Sequence, residues 1–246
     1  MGMQRRIAIT ATFAAASVAL RLSSAAAEPR AVIELFTSQG CSSCPPADHV
    51  LGELARDPSL SAMSLPIDYW DYLGWKDTLA KPRHTARQRG YAHARGDREV
   101  YTPQVVVNGA VHVLGSDKGA IERAIAQTRR NAATLSLPVK LAVADDKLTV
   151  NVQTANAAAS NGEVWLCALS KDVPVAIGRG ENHGHTITYH NVVRRWMKLG
   201  DWTGGAHTFN VPRNEIGTAD TVAVIVQGGS SDELGTMLGA AVASLH

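Results

Sequence analysis

Two cysteines three positions apart, Cys41 and Cys44, stand between an apolar run and a pair of prolines, and this placement constrains the chain more than any other feature. Ala31 to Phe36 is apolar with Glu34 as its only charge, which reads as a buried strand. Thr37-Ser38-Gln39-Gly40 leads to Cys41, and beyond Cys44 the residues Ala47, Val50, Leu51 and Leu54 share one helical face. Pro45 and Pro46 then fall in the first turn, where a missing N–H removes no helical hydrogen bond, so they mark the helix start. Asp57-Pro58 ends it. At such a helix start a cysteine pair of this spacing closes a small disulfide while its first member stays exposed. The free helix N–H groups and the macrodipole favour that thiolate, lowering its pKa below about 8.5. Cys41 is therefore expected to attack and Cys44 to resolve; the competing reading is a structural disulfide that never turns over.

Ala62 to Asp68 reads as a second strand, although Pro66 cannot donate to a central ladder. Residues 69–99 read as a helical insert. It opens on Tyr69, Trp70, Tyr72 and Trp75 and continues through a basic run from Lys76 to Arg98 that fits a solvated helix face. Tyr69, Trp70 and Trp75 are candidates for a substrate-binding wall beside the cysteines, with core packing as the competing reading. Gln104 to Val107 and Ala110 to Val113 flank Asn108-Gly109, the two-residue signature of a tight hairpin. A helix follows over about Asp117 to Arg129, with Ser116 as its expected cap.

Beyond Asn131 the apolar period changes to two. Val139, Leu141 and Val143 alternate, Asp145-Asp146 turns, and Leu148, Val150 and Val152 alternate again. Strand-like runs continue at Val164 to Leu169, Val173 to Ile177, Val192 to Leu199, Thr208 to Val211, Thr221 to Val226 and Leu238 to Leu245, a pattern that suggests a β-sandwich. At the other end, Arg5-Arg6, an apolar stretch from Ile7 to Leu20 and the small residues Ser23 to Ala27 have the order of a secretory signal peptide. The apolar stretch is shorter than the roughly 20 residues a spanning helix needs, so no membrane anchor is expected after cleavage. Loss of Arg5, Arg6 and Arg21 would take the net charge from +2 to −1, which gives no argument for nucleic acid as a partner. The expected location is periplasmic or secreted, and nothing in the sequence specifies an oligomeric state.

In order, the first half is strand, Cys-x-x-Cys at a helix start, strand, helical insert, Thr102-Pro103, hairpin, helix: the order of a thioredoxin fold. The expected architecture is an α/β thioredoxin-like domain over 28–133 followed by an all-β, sandwich-like domain over 134–246. In this arrangement Pro103 is expected to be cis and to face the dithiol, with the Thr102 backbone pairing with substrate. Glu34, seven residues before Cys41, is the candidate buried acid that moves protons from the resolving thiol; a solvent-facing strand glutamate is the alternative.

Leu35-Phe36-Thr37-Ser38-Gln39-Gly40-Cys41-Ser42-Ser43-Cys44-Pro45-Pro46-Ala47-Asp48, the stretch from Asp68 to Asp77 and Tyr101-Thr102-Pro103-Gln104 resemble a secreted, thioredoxin-like bacterial family of unknown function, domain of unknown function 1223. Gly180-Glu181-Asn182 and Asn191-Val192-Val193-Arg194 extend the resemblance into the second half. It implies a thioredoxin-like fold with an appended β-rich part and no established reaction. The chain departs from the family pattern at Leu65-Pro66, where a bulky apolar residue and a histidine are expected.

Cys167, within Val164 to Leu169, reads as a buried core thiol. His183, His185 and His190 near Glu181 have residue types that bind metals, but histidines in a glycine-rich loop are commonly polar surface, and no metal site or cofactor is assigned. Gly178, Gly180 and Gly184 read as a flexible connection. The leading expectation is thiol–disulfide exchange on protein or small-thiol substrates; the alternative is a binding module, for copper or a protein partner, that uses the cysteines as ligands or as a staple.

Overall fold

In a computed structural model, the structure describes residues 28–154, 161–230 and 233–245. The expected signal peptide, 1–27, lies outside the described residues. The first half forms β1 (Ala31–Thr37), α1 (Pro45–Leu54), β2 (Leu60–Pro66), α2 (Pro82–Arg95), β3 (Gln104–Val107), β4 (Val111–Leu114) and α3 (Lys118–Thr128). The second half adds β5 (Val139–Val143), β6 (Lys147–Val152), β7 (Gly162–Ala176), β8 (Thr186–Trp202), β9 (His207–Pro212), β10 (Thr221–Gly229) and β11 (Leu234–Ser244).

The strands correct the expected fold class. Eight of them make one mixed sheet in the order β11-β10-β7-β8-β2-β1-β3-β4, and β5-β6-β9 make a second, smaller sheet. The molecule is predominantly β, with three α-helices among the described residues, and not an α/β thioredoxin-like domain followed by a separate sandwich. The physical reason is the length of β7 and β8, which pair antiparallel over 15 and 17 residues. Runs read as separate short strands are continuous here, and β8 reaches the free edge of β2, pairing parallel at Ser64 and Val192. The main sheet therefore crosses the expected boundary between the halves.

Burial follows the strand period. Ala31, Ile33 and Leu35 of β1 face α1 and α3 together with Val105, Ile121 and Ile125, whereas Val32 and Phe36 face a cluster with Met63, Tyr91 of α2 and Ile225 of β10. The second cluster spans both halves of the chain. A third core, including Leu148, Val150, Leu166 and Val224, fills the space between the large and small sheets.

Several local features explain themselves. Asn108 and Gly109 take φ of 51° and 70°, the left-handed pair that a two-residue hairpin requires. Pro66 is the last residue of β2, so its missing N–H interrupts no ladder, and its carbonyl accepts from Lys81 N at 3.2 Å. α3 is capped by Asp117, whose carboxylate accepts from Ala120 N at 2.8 Å, and not by Ser116. The insert is less helical than expected: a short 3₁₀ turn over Asp71–Leu73 precedes α2.

Glu34 is a buried acid, as one of its two readings expects, but its partners are Arg87 and Tyr91 and not the cysteines. It is fully buried, on the face of β1 that looks toward α2, where Arg87 Nε donates to Oε1 at 2.6 Å and Arg87 Nη2 to Oε2 at 3.2 Å. Tyr91 OH also donates to Glu34, and Arg87 Nη2 reaches Gln227 Oε1 of β10 at 2.9 Å. The Arg87 guanidinium lies 4.2 Å from the Trp196 ring centroid. Burial works against the Arg87 charge, but Glu34 and Tyr91 more than offset it and hold the guanidinium protonated. This network ties α2 to β1 and β10. Cys167 is buried beside it, its thiol pushed far up by burial and thus unreactive, in keeping with a core role.

Candidate functional site

Cys41 and Cys44 form a disulfide, with Cα atoms 5.4 Å apart. Cys44 is the N-cap of α1, Pro45 and Pro46 open the helix, and the Cys44 carbonyl accepts from Asp48 N at 3.1 Å. The pair is thus at the expected helix start. Its exposure differs from expectation: Cys41 is 4% exposed and Cys44 is 0%, so the first cysteine is nearly covered in the disulfide state. The intervening Ser42 and Ser43 are exposed, and the surface the pair presents lies on the Cys41 side.

Three parts of the chain surround Cys41. The Thr102–Pro103 peptide is cis, as expected, and Thr102 comes next to the outer sulfur. Thr102 Oγ1 donates to Cys41 Sγ at 3.3 Å and accepts from Trp70 Nε1 at 2.7 Å. Ser43 Oγ lies 3.3 Å from the same sulfur and 3.5 Å from the Thr102 carbonyl. Trp70 also packs on the Gly40 backbone, where an added Cβ would sit 3.3 Å from Trp70 Cβ, and stacks on Tyr72, which is 75% exposed.

The third part comes from the other half of the chain. The tip of the β7–β8 hairpin carries Asn182, whose Nδ2 donates to Gln39 O at 2.9 Å and to Cys41 O at 3.0 Å. Beside it, Glu181 Oε2 accepts from Ser42 N at 3.1 Å, and the Ser42 hydroxyl together with this amide lowers the Glu181 pKa. Gly178 and Gly180 do not make a loose connection. They press on Trp75, with added Cβ atoms falling 3.1 and 3.3 Å from it, and fix the tip against the first half.

Of the expected substrate-binding aromatics, Trp70 joins the cysteine site through its hydrogen bond to Thr102, and the Tyr69 hydroxyl also lies near the Thr102 side chain. Trp75 Nε1 donates to Gln39 Oε1 at 2.8 Å and so shapes the loop before Cys41. Tyr69 packs against the core under α2 and donates to Gln88 Oε1 at 3.1 Å. Glu34 is not part of the site.

A different buried acid lies on the cysteine helix. Asp48, four residues beyond Cys44 on α1, is 2% exposed, and neither carboxylate oxygen has a hydrogen-bond partner. Residues at this helical spacing lie over one another on one face. Burial pushes the Asp48 carboxyl well above the ordinary carboxylate range; Thr37 Oγ1 lies near enough to offset this slightly without completing a hydrogen bond, and Asp77 adds to the rise. Asp77 is itself pushed up to about 6 by burial, despite accepting from Gln39 N, Leu79 N and Ala80 N. The buried Tyr189 hydroxyl, also without a partner, is raised by burial and by these two acids. Asp48, Glu181 and Asn182 were all within the stretches that carry the family resemblance, but nothing local in the sequence distinguished them as site residues.

His190 pairs with Asp172 at 2.6 Å while His183 and His185 are exposed, and among the described residues no three His, Cys, Asp or Glu side chains stand together as a metal site would require. Among the described residues no helix is long and apolar enough to cross a membrane.

Fold and site together define a β-rich protein in which a Cys-x-x-Cys disulfide at a helix N-terminus is enclosed by a cis-proline loop and a distant hairpin. The chain matches the family described as Protein of unknown function (DUF1223) over residues 32–227, and it belongs to that family. It is similar to the X-ray crystal structure of protein AGR_C_4864 from Agrobacterium tumefaciens, at 31% identity and a TM-score of 0.79, with 89% of this chain and 95% of that chain covered. HBP35 of Porphyromonas gingivalis shares the fold at 15% identity and a TM-score of 0.58, covering 89% of this chain and 76% of that one. No curated protein matches the chain.

Proposed function

We propose that the protein carries out thiol–disulfide exchange through Cys41 and Cys44 on exported protein or small-thiol substrates, in the periplasm or outside the cell. The observation that carries this reading is the convergence of two hydroxyls, Thr102 Oγ1 and Ser43 Oγ, on one sulfur at 3.3 Å each. A disulfide that only staples a loop gains little from a hydroxyl donating to one of its sulfurs with a second hydroxyl beside it. A thiolate at Cys41 keeps the Thr102 hydrogen bond and gains a second when Ser43 Oγ turns its proton from the Thr102 carbonyl to the sulfur, to which the start of α1 adds its own dipole.

In the exchange, the Cys41 thiolate attacks one sulfur of a substrate disulfide, and the other substrate sulfur leaves as a thiolate and takes up a proton. Cys44 then gives up its proton and displaces the substrate sulfur from Cys41. The substrate departs as a dithiol, the Cys41–Cys44 disulfide forms, and two electrons have moved to the substrate. In this reading Asp48, one helical turn inside Cys44, exchanges the Cys44 proton, a role its i+4 position and raised carboxyl support. Because Cys41 is 4% exposed, the attacking geometry requires local opening on the side of Trp70, Thr102 and the hairpin tip.

Equilibration of the full chain with glutathione buffers and with stronger dithiol reductants, read by alkylation and mass, tests the reading. The expected result is one reversible two-electron transition with the fold intact. A disulfide that resists reduction until the protein unfolds would overturn it.

A further inference from the structure

We propose that Glu181 biases this couple toward the disulfide: its carboxylate, carried to the Ser42 amide by the β7–β8 hairpin, makes the pair a stronger reductant of substrate disulfides than the cysteine helix alone would. The inference rests on the exchange reading above and goes beyond it by assigning the residue whose charge offsets the thiolate-stabilising groups and shifts the couple toward the disulfide.

At a bare helix start, the backbone N–H groups that follow a nucleophilic cysteine are available to its thiolate, which stabilises the reduced form and makes the disulfide oxidising. Here the first of those amides, Ser42 N, donates to Glu181 Oε2 at 3.1 Å. The contact is held in place, because the adjacent Asn182 clamps Gln39 O and Cys41 O at 2.9 and 3.0 Å and Gly178 and Gly180 seat the hairpin tip on Trp75. The side chains that reach Cys41 Sγ, Ser43 and Thr102, are uncharged, and among the described residues no Lys, Arg or His hydrogen-bonds to Cys41.

A fixed negative charge next to a forming thiolate raises the free energy of the reduced anion. It leaves the neutral disulfide almost untouched. The equilibrium therefore moves toward the oxidised protein, with the electrons passing to the substrate as written above. An external dithiol of lower potential completes the cycle by reducing Cys41–Cys44 and becoming a disulfide itself.

The full chain is compared with E181Q and E181D in the glutathione equilibration. Glutamine keeps an oxygen acceptor for Ser42 N–H and removes only the charge; aspartate keeps the charge. Glu181 is exposed, so neither change disturbs a core. The expected result is that E181Q shifts the exchange equilibrium about tenfold toward the dithiol form, ~30 mV for a two-electron couple, while E181D stays close to wild type. The gap between E181Q and wild type should narrow at high salt, as screening of an exposed charge requires. An E181Q equilibrium within about twofold of wild type, or an equal shift in E181D, would overturn the role of Glu181 while leaving exchange intact. A wild-type disulfide that shows no reversible transition would instead overturn the exchange reading itself.

Discussion

Replacing Arg87 with methionine is expected to destabilise the fold by about 3–5 kcal/mol, the cost of leaving one member of a buried ion pair without the other. The Arg87 and Glu34 side chains are 9% and 0% exposed, and Glu34 has no access to water with which to recover its lost partner. Tyr91 OH and Gln227 remain, but neither supplies a positive charge. The same network joins α2 to β1 and β10, so the loss falls on the cluster that both halves of the chain share. Chemical denaturation of R87M measures it. The double variant E34Q/R87M should recover much of the loss, because a neutral amide replaces the stranded carboxylate. A loss below about 1 kcal/mol in R87M would mean that the pair contributes no more than a surface ion pair does.

The second large effect is a pH dependence caused by Asp48. Its carboxyl is raised well above the ordinary range in the folded protein, so the fold keeps a proton that the unfolded chain releases above about pH 3.9. The contribution of Asp48 to stability is therefore fully present below that pH and is lost as pH rises toward the folded value. The slope approaches about 1.4 kcal/mol per pH unit while only the unfolded form is ionised. Asp77, pushed up to about 6, acts with the same sign over the lower part of the window. The exposed carboxyls lowered by their partners, such as Asp97, act with the opposite sign, and they are common to wild type and variant. Urea denaturation between about pH 5 and pH 7 should show D48N gaining on wild type as pH rises. Parallel curves for the two proteins would contradict a buried, unpartnered Asp48 carboxyl.

Where structure was legible in the sequence, the determinants were local. The Asn108-Gly109 turn, the prolines opening α1 and the alternating strands β5 and β6 each follow from residues close together in the chain, whereas the Thr102-Pro103 cis bond is expected only from the thioredoxin-like order of the elements around it. The fold class was not legible for the opposite reason. Lys171 and Asp172 are exposed in the middle of β7, so their polarity splits a 15-residue strand into two apparent short ones. The bulges that keep β7 and β8 paired leave no periodic trace. The parallel contact of β8 with β2, which merges the halves into one sheet, joins residues 64 and 192.

The site divides in the same way. Cys41, Cys44, Thr102 and Pro103 lie in short motifs whose chemistry is readable in isolation. Glu34 was the natural choice for the buried acid because it is a charge in an apolar strand, but strand alternation turns it toward Arg87 and away from α1. Asp48 is the buried acid on the cysteine helix, and sequence position alone does not show that its neighbours offer it no partner. Glu181 reaches Ser42 from 139 residues away and Asn182 reaches Cys41 from 141, and they help to explain why Cys41, expected to be open, is nearly covered.

Exchange through this pair requires that Cys41 bond covalently to substrate sulfur and that Cys44 release it, and the sharpest test is to trap that bond. With Cys44 changed to serine and the full chain expressed in the native host, exchange predicts mixed disulfides through Cys41 that dissolve on reduction and are missing when Cys41 is changed to serine. Equal labelling of the two variants, or no adduct with either, would contradict the account.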